Sequence, residues 1–288
     1  MPSVNDLPSA SGANASGPVD RIREAVTFLF VPGDRPERFD KAAAAGADLV
    51  VVDLEDAVSP GNKDAAREAA ARWLADGNAC AIRVNSPGSG LLAADLQALE
   101  GLTCTVMVPK AESAEDMGRV VASRGESPSV IALVETARGV LQAPSIAAAP
   151  GVHRLALGSF DLAAELGVDP DDALALAATR GGLVLASAAA GLPGPIDGVT
   201  ASVDDADLLT ADTRQARRLG FSGKLCIHPR QVGAVTAAFA PTEAERAWAQ
   251  RVVEAFSASD GAALVDGKMI DKPVLDRALR IHRASQTA

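Results

Sequence analysis

The stretch Ser129-Val130-Ile131-Ala132-Leu133-Val134-Glu135-Thr136-Ala137-Arg138-Gly139 decides how the chain is read. After Ser129, residues 130–134 form one unbroken apolar run, too short for a helix and rich in β-branched side chains. It reads as a strand covered on both faces, the usual state of a strand in a parallel sheet. The run stops abruptly at a carboxylate, and an Ala-rich helical pattern follows at 140–149.

The same unit recurs on both sides. Further strands are expected at 26–31, 48–53, 79–85, 104–108, 154–158, 195–198 and 224–228. Helices are expected between them at 36–45, 63–74, 114–122, 171–190 and 204–219. That makes eight strand–helix units, the number that closes a (β/α)8 TIM barrel. A doubly wound open sheet is the alternative, but it prefers a Gly-rich nucleotide turn after its first strand. Here that turn is Pro32-Gly33-Asp34-Arg35-Pro36. Pro195 and Gly198 make the seventh strand the weakest of the set.

The barrel occupies residues 21–240. Before it, residues 1–20 are rich in Ser, Pro, Gly, Ala and Asn, with no apolar core of a signal peptide, and read as a disordered tail. After it, residues 241–288 form a C-terminal helical and hairpin lid extension. A helix at 241–259 opens on Thr242 with Glu245 three residues on, a capping box. Strands at 262–265 and 268–270 flank the Asp266-Gly267 turn, and a helix at 272–283 has Pro273 in its first turn. A barrel closes without this appendage, so it serves as a lid, an oligomer contact or both.

Composition excludes several functions. The 288 residues carry 27 Lys and Arg against 37 Asp and Glu, a formal charge of −10. No basic run exceeds the pair Arg217 and Arg218, so a nucleic-acid partner and a polybasic membrane anchor are both disfavoured. No stretch is long and apolar enough for a membrane span. Cys80, Cys104 and Cys226 are widely spaced and read as reduced core thiols of a cytoplasmic protein. Met107 and Met117 read as core.

In a barrel the active site lies at the C-terminal ends of the strands. Six of the eight expected strands deliver a charged or titratable residue there: Asp53, Glu55 and Asp56; Arg83; Lys110; Glu135; Asp161, after Gly158; and His228. Glu135 and Asp161 are hard oxygen ligands on neighbouring strands and suit Mg2+, with Mn2+ as a variant. Equally, Asp161 could cap a helix and Glu135 could pair with Arg138. Arg83 suits a substrate carboxylate, which guanidinium binds bidentately, or a structural ion pair with the Asp53, Glu55 and Asp56 cluster. Glu55 and Asp56 are candidate catalytic groups, or hold Arg83 and Lys110. His228 is as readily a structural histidine as a catalytic one.

From about residue 27 to residue 284 the chain resembles the citrate lyase β-subunit-like and malyl-CoA lyase family, within the HpcH/HpaI aldolase–citrate lyase superfamily. The motifs that carry the likeness are Phe30-Val-Pro-Gly-Asp-Arg-Pro-Glu-Arg-Phe39, Asp53-Leu-Glu-Asp-Ala57, Arg83-Val-Asn85, Val108-Pro-Lys-Ala-Glu-Ser113, Leu133-Val-Glu-Thr-Ala-Arg-Gly139, Gly158-Ser-Phe-Asp-Leu162, Gly223-Lys-Leu-Cys-Ile-His-Pro229 and Asp266-Gly-Lys-Met-Ile-Asp271. The resemblance implies a trimeric or hexameric TIM barrel acting on a coenzyme A thioester with Mg2+. It implies that Glu135 and Asp161 ligate the metal and that Arg83 grips the α-keto acid or its carboxylate. Asp271 then corresponds to an acid/base Asp on the lid, often placed over a neighbouring subunit's site. Arg35, Arg38 and Lys110 are candidates for the coenzyme A phosphates, and Gly158 for substrate contact. The implied reaction is reversible cleavage of a β-hydroxyacyl-CoA into an acyl-CoA and a 2-oxo acid. A coenzyme A-independent pyruvate-type class II aldolase and an accessory β subunit of a citrate lyase complex are the alternatives.

Overall fold

Apolar runs covered on both faces pair edge to edge in the computed structural model, which describes residues 17–125, 128–258 and 263–286. The strands are β1 (Thr27–Pro32), β2 (Leu49–Asp53), β3 (Ala81–Arg83), β4 (Thr105–Val108), β5 (Val130–Val134), β6 (Val152–Leu157), β7 (Ile196–Asp197) and β8 (Gly223–Cys226). They are parallel, pair in chain order, and close where β1 pairs with β8, so the open-sheet alternative is excluded. β7 keeps only two residues in the ladder, as its proline and glycine foretold.

The helices are α1 (Pro18–Glu24), α2 (Phe39–Ala43), α3 (Lys63–Ala75), α4 (Leu92–Ala98), α5 (Ala114–Ala122), α6 (Ala137–Ala147), α7 (Ser159–Leu166), α8 (Ala177–Ala189), α9 (Ala206–Leu219), α10 (Pro229–Phe239), α11 (Glu243–Ser257) and α12 (Lys272–Gln286). α1, α4, α7 and α10 were not anticipated. α1 begins at Pro18, so residues 18–20 are helix rather than tail. Residues 1–16, 259 and 262 of the expected elements lie outside the described residues. α6 starts three residues early because Thr136 Oγ1 accepts from Gly139 N at 3.1 Å, a cap hidden in the Glu135-Thr-Ala-Arg run. α8 starts six residues late because Asp169 and Asp172 take backbone N–H groups of residues 171 and 174 into turns, in competition with the helix.

Strand period two divides the apolar residues into two cores. Leu49, Val51, Ala81, Met107, Ile131, Leu133, Ala156 and Leu225 point to the barrel axis. Val50, Val52, Ile82, Val106, Val108, Ala132 and Val134 point out against the helices. A one-residue slip would exchange the two sets, so the register is firmly specified. At the N-terminal end of the barrel Ile22 of α1 is fully buried. There the fully buried Arg154 donates to the carbonyls of Ile22 (2.8 Å), Ala25 (2.5 Å) and Gly194 (3.0 Å) and to Ser222 Oγ (2.8 Å). Burial pushes its guanidinium down to about 9.

The extension has a core of its own, with Ala249, Val252, Val265, Ile270 and Ala278 buried between α11, α12 and the hairpin of β9 (Ala263–Val265) and β10 (Lys268–Ile270). The Thr242 and Glu245 capping box forms as expected, and Asp266-Gly267 makes the turn with both φ positive. Arg217 of α9 ties α11 to the barrel through Glu245 at 2.8 Å. Cys80, Cys104 and Cys226 are buried free thiols, and Met107 and Met117 are fully buried. Among the described residues no helix is long and apolar enough to cross a membrane.

Candidate active site

The inward half of each strand continues past the apolar core onto the rim. Leu49 and Val51 lead to Asp53; Ala81 leads to Arg83; Ile131 and Leu133 lead to Glu135; Ala156 leads to Gly158. Register then decides which of these meet. Asp53 and Arg83 are direct partners across β2 and β3, and bond at 2.7 Å (Nε to Oδ1) and 2.6 Å (Nη2 to Oδ2). The bidentate edge of Arg83 is therefore held by Asp53 in a structural ion pair. Nη1 faces Glu55 Oε2 at 3.3 Å and Asp56 Oδ2 at 3.7 Å, and the guanidinium lies 4.9 Å over the Phe30 ring. Burial works against its charge, but the hydrogen bonds and charges of Asp53, Glu55 and Asp56 outweigh this and hold it protonated.

Val134 pairs with Leu157, so Glu135 and Gly158 sit side by side. A Cβ on residue 158 would lie 2.3 Å from Glu135 Oε2 and 2.5 Å from Glu135 Cβ. The glycine is thus the space through which the Glu135 carboxylate reaches the rim. Asp161 lies in the first turn of α7, directly after Gly158, and is half-exposed. Glu135 is 3% exposed, and burial, then the charges of Glu55 and Asp161, push its carboxyl up to about 8 against the opposing pull of Lys110. Burial also raises Glu55.

Lys110 joins these carboxylates. Its backbone N–H donates to Glu135 Oε1 at 2.9 Å. Its Nζ lies 2.9 Å from Glu55 Oε1, 3.5 Å from Asp161 Oδ2 and 3.9 Å from Glu135 Oε1. Glu135 therefore pairs with Lys110 and not with Arg138. Arg83, Glu135, Gly158 and Asp161 line one cleft of about 110 Å³ with Phe30 and Ser159. Larger hollows of about 380 and 770 Å³ lie at the other end of the barrel, beside Pro18 and Cys104, away from these carboxylates.

Sequence reasoning missed the scaffold beneath the Glu55 loop. Lys63 donates to the carbonyls of Leu54 and Glu55, each at 2.6 Å, and to Asn85 Oδ1 at 2.8 Å. Asn85 Nδ2 reaches the Leu54 carbonyl at 3.0 Å and Asp95 Oδ2 at 2.7 Å, and Arg67 Nε holds Asp95 Oδ1 at 2.6 Å. The available signal was Lys63 itself, a cation in the first turn of α3, where the helix dipole disfavours it.

Other candidates lie elsewhere. Arg35 and Arg38 are exposed on the turn after β1, and neither lines the cleft. His228 caps α10, its Nδ1 accepting from Arg230 N at 3.2 Å. Asp271 is exposed at the start of α12, accepts from Val274 N at 3.2 Å, and is not among the residues lining the cleft.

A hard divalent cation fits this donor set. Glu135 and Asp161 present carboxylate oxygens to the one ammonium between them, Glu55 Oε2 is buried with no hydrogen-bond partner, and Gly158 keeps the approach free of a side chain. Among the described residues no group of three or more His, Cys, Asp or Glu encloses an ion. Two carboxylates are nevertheless the number with which Mg2+ is commonly held, substrate and water completing the octahedron.

Comparison with known proteins gives the family of the chain and relatives of its fold. The family model described as HpcH/HpaI aldolase/citrate lyase matches residues 26–229. A citrate lyase subunit beta-like protein of Mycobacterium tuberculosis is 41% identical over 258 residues, 87% of this chain and 92% of that protein. A (3S)-malyl-CoA thioesterase of Cereibacter sphaeroides is 36% identical over 255 residues, 85% of this chain and 89% of that protein. The structure of CitE from Mycobacterium tuberculosis in complex with magnesium, acetoacetate and coenzyme A aligns with a TM-score of 0.80 at 39% identity, covering 92% of this chain and 99% of that one. A citrate lyase beta subunit from the same organism, complexed with oxaloacetate and magnesium, aligns with a TM-score of 0.68 at 40% identity, covering 77% of this chain and 100% of that one. The rim carboxylates thus sit in a barrel whose sequence and topology are shared along most of their length with citrate lyase subunit beta-like proteins, and the chain belongs to the HpcH/HpaI aldolase/citrate lyase family of enzymes.

Proposed function

We propose that the protein is a Mg2+-dependent carbon–carbon lyase that reversibly cleaves a β-hydroxyacyl-CoA of the citryl-, malyl- or citramalyl-CoA type into an acyl-CoA, such as acetyl-CoA, and a 2-oxo acid. The observation that carries this reading is that one ammonium reaches oxygens of three rim carboxylates, Glu55, Asp161 and Glu135, at 2.9, 3.5 and 3.9 Å. The likeness to a protein solved with magnesium, acetoacetate and coenzyme A supports it.

Glu135 and Asp161 hold the ion, Mg2+ or Mn2+. When bound, it supplies a Lewis acid for the carbonyl that forms from the substrate hydroxyl. Arg83, its Nε and Nη2 anchored by Asp53, has Nη1 to offer the substrate carboxylate and adds positive charge where oxyanion character builds. Glu55 and Asp56 keep Lys110 and Arg83 in place. As the carbon–carbon bond breaks, the substrate hydroxyl gives up its proton to water and becomes the carbonyl of the 2-oxo acid, and the electrons of the bond pass to the thioester as an enolate, which takes up a proton at its α-carbon. Asp271 is the acid for that step, and removes the same proton in the reverse direction. It is exposed on a segment with a separate core, which suits action over the barrel of a neighbouring copy in a homo-oligomer, a trimer or hexamer. Closure of that segment keeps water from the enolate. Lys110, Arg35 and Arg38 stand at the rim to meet the coenzyme A phosphates, cations that the −10 overall charge otherwise makes scarce.

A panel of β-hydroxyacyl-CoA esters assayed with Mg2+ tests this. The expected products are acetyl-CoA, or a homologue, and a 2-oxo acid, formation of which Glu135→Ala, Asp161→Ala and Asp271→Asn should each suppress. The 36% identity to a (3S)-malyl-CoA thioesterase favours a second reading, thioester hydrolysis at the same site. That reaction releases free coenzyme A and the intact hydroxy acid, so the products separate the two.

A further inference from the structure

Lys110 is built into the rim more firmly than a phosphate-binding lysine needs to be. Its backbone is left-handed, with φ 47°, a conformation that is strained for a side-chain-bearing residue and persists only when its surroundings hold it. Two contacts do so: the N–H bonded to Glu135 Oε1, and Nζ bonded to Glu55 Oε1. The left-handed turn lets one residue fix the Glu135 carboxylate with its backbone and place its ammonium in front of it.

That ammonium is hydrogen-bonded to Glu55 alone among the three carboxylates. It stands off from Asp161 and Glu135 at 3.5 and 3.9 Å, near enough to neutralise them and too far to satisfy them. Its side chain is 37% exposed, so the four-carbon stem has room to swing, and Glu55 Oε2 stands without a hydrogen-bond partner.

We propose that the Lys110 ammonium is a resident counter-cation of this site, which a divalent ion entering between Glu135 and Asp161 must push back onto Glu55, so that Lys110 weakens and thereby sets the ion affinity. The proposal rests on the assignment of Glu135 and Asp161 as ion ligands. It makes Lys110 a positioning residue. The metal-free rim is kept assembled by its own cation, and the ion remains exchangeable with each substrate.

Mn2+ binding to the purified full-length chain, followed by electron paramagnetic resonance of the free ion at one fixed pH, tests this without any turnover. An ammonium a few ångströms from a divalent ion at a partly exposed site repels it, so Lys110→Met should bind Mn2+ on the order of tenfold more tightly than the wild type. Lys110→Arg, which keeps the charge, should stay near the wild-type value, and Glu135→Gln should abolish binding. If Glu135→Gln abolishes binding while Lys110→Met binds no more tightly than the wild type, the counter-cation role is overturned and the ligand assignment stands. If Glu135→Gln leaves Mn2+ binding intact, the ligand assignment fails and the proposal with it. Lys110→Gln removes the charge while keeping a polar side chain, and gives the same readout should the methionine variant not fold.

Discussion

Glu135 is a buried carboxyl between two other carboxylates, and replacing it by glutamine should stabilise the metal-free protein. Its carboxyl is raised from an ordinary value of 4.5 to about 8 by burial and by the charges of Glu55 and Asp161. The folded chain therefore keeps a proton that the unfolded chain releases. The contribution of this group to stability is fully present below 4.5, falls as pH rises, and is lost once pH passes about 8. At about 1.4 kcal/mol per pH unit, the loss is about 1 kcal/mol at pH 5, about 3 kcal/mol at pH 7 and about 5 kcal/mol at pH 9. Glutamine is isosteric with the protonated acid and can still accept from the Lys110 N–H, but it carries no charge at any of these values. The stability gap in favour of Glu135→Gln should thus widen by about 4 kcal/mol between pH 5 and pH 9, a divergence in Tm of roughly 8 °C at about 2 °C per kcal/mol. Thermal melts of both proteins in chelator across that range measure it, and titrations common to both proteins cancel in the difference. Excess Mg2+ should then narrow the gap at pH 9 by stabilising the wild type alone. A gap that stays constant from pH 5 to pH 9 would refute the claim that the rim holds Glu135 as a buried, charge-crowded acid.

Three further substitutions probe the scaffold of the rim and of the barrel floor. Gly158→Ala puts a methyl group 2.3 Å from Glu135 Oε2 and 2.5 Å from its Cβ, which rotation of the carboxylate alone cannot relieve. It should cost about 1–3 kcal/mol in urea unfolding and most of the Mn2+ affinity, and unchanged binding would refute the close approach. Lys63→Met leaves two loop carbonyls and Asn85 Oδ1 without their ammonium, so kcat should fall while thermal stability drops by only about 1–3 kcal/mol, and a kcat equal to wild type would remove Lys63 from the positioning of Glu55. Arg154→Met strips four hydrogen bonds from the barrel floor and should destabilise the chain by about 3 kcal/mol or more in urea, with amide exchange of residues 22–25 rising first. Equal exchange across α1 would mean that Arg154 does not secure it.

How far the sequence could be read follows from which forces are local. Eight apolar runs covered on both faces, six of them leading to a charged or titratable residue, carry the barrel and its polar rim in one dimension. The run 129–134 predicts both β5 and the emergence of Glu135. The Thr242 and Glu245 capping box and the Asp266-Gly267 turn were equally legible, because their partners lie within a few residues. The helix starts of α6 and α8 were misjudged where short polar side chains capture backbone N–H groups, a choice that hydrophobic periodicity does not report. Residues 18–20 were read as tail because the partner of α1 is Arg154, more than a hundred residues away.

By itself the sequence determined the barrel, the rim where its polar residues gather, and the family, since periodicity, chain length and local motifs are properties of consecutive residues. Tertiary structure decided the pairings. The register of β2 against β3 gave the bidentate edge of Arg83 to Asp53, and that of β5 against β6 made Gly158 the opening for Glu135. A left-handed residue at the end of β4 set Lys110, rather than Arg138, among the carboxylates. These outcomes depend on which strand ends lie within a few ångströms of one another. Charge pairing falls off over that same distance, so it is fixed only when the barrel closes.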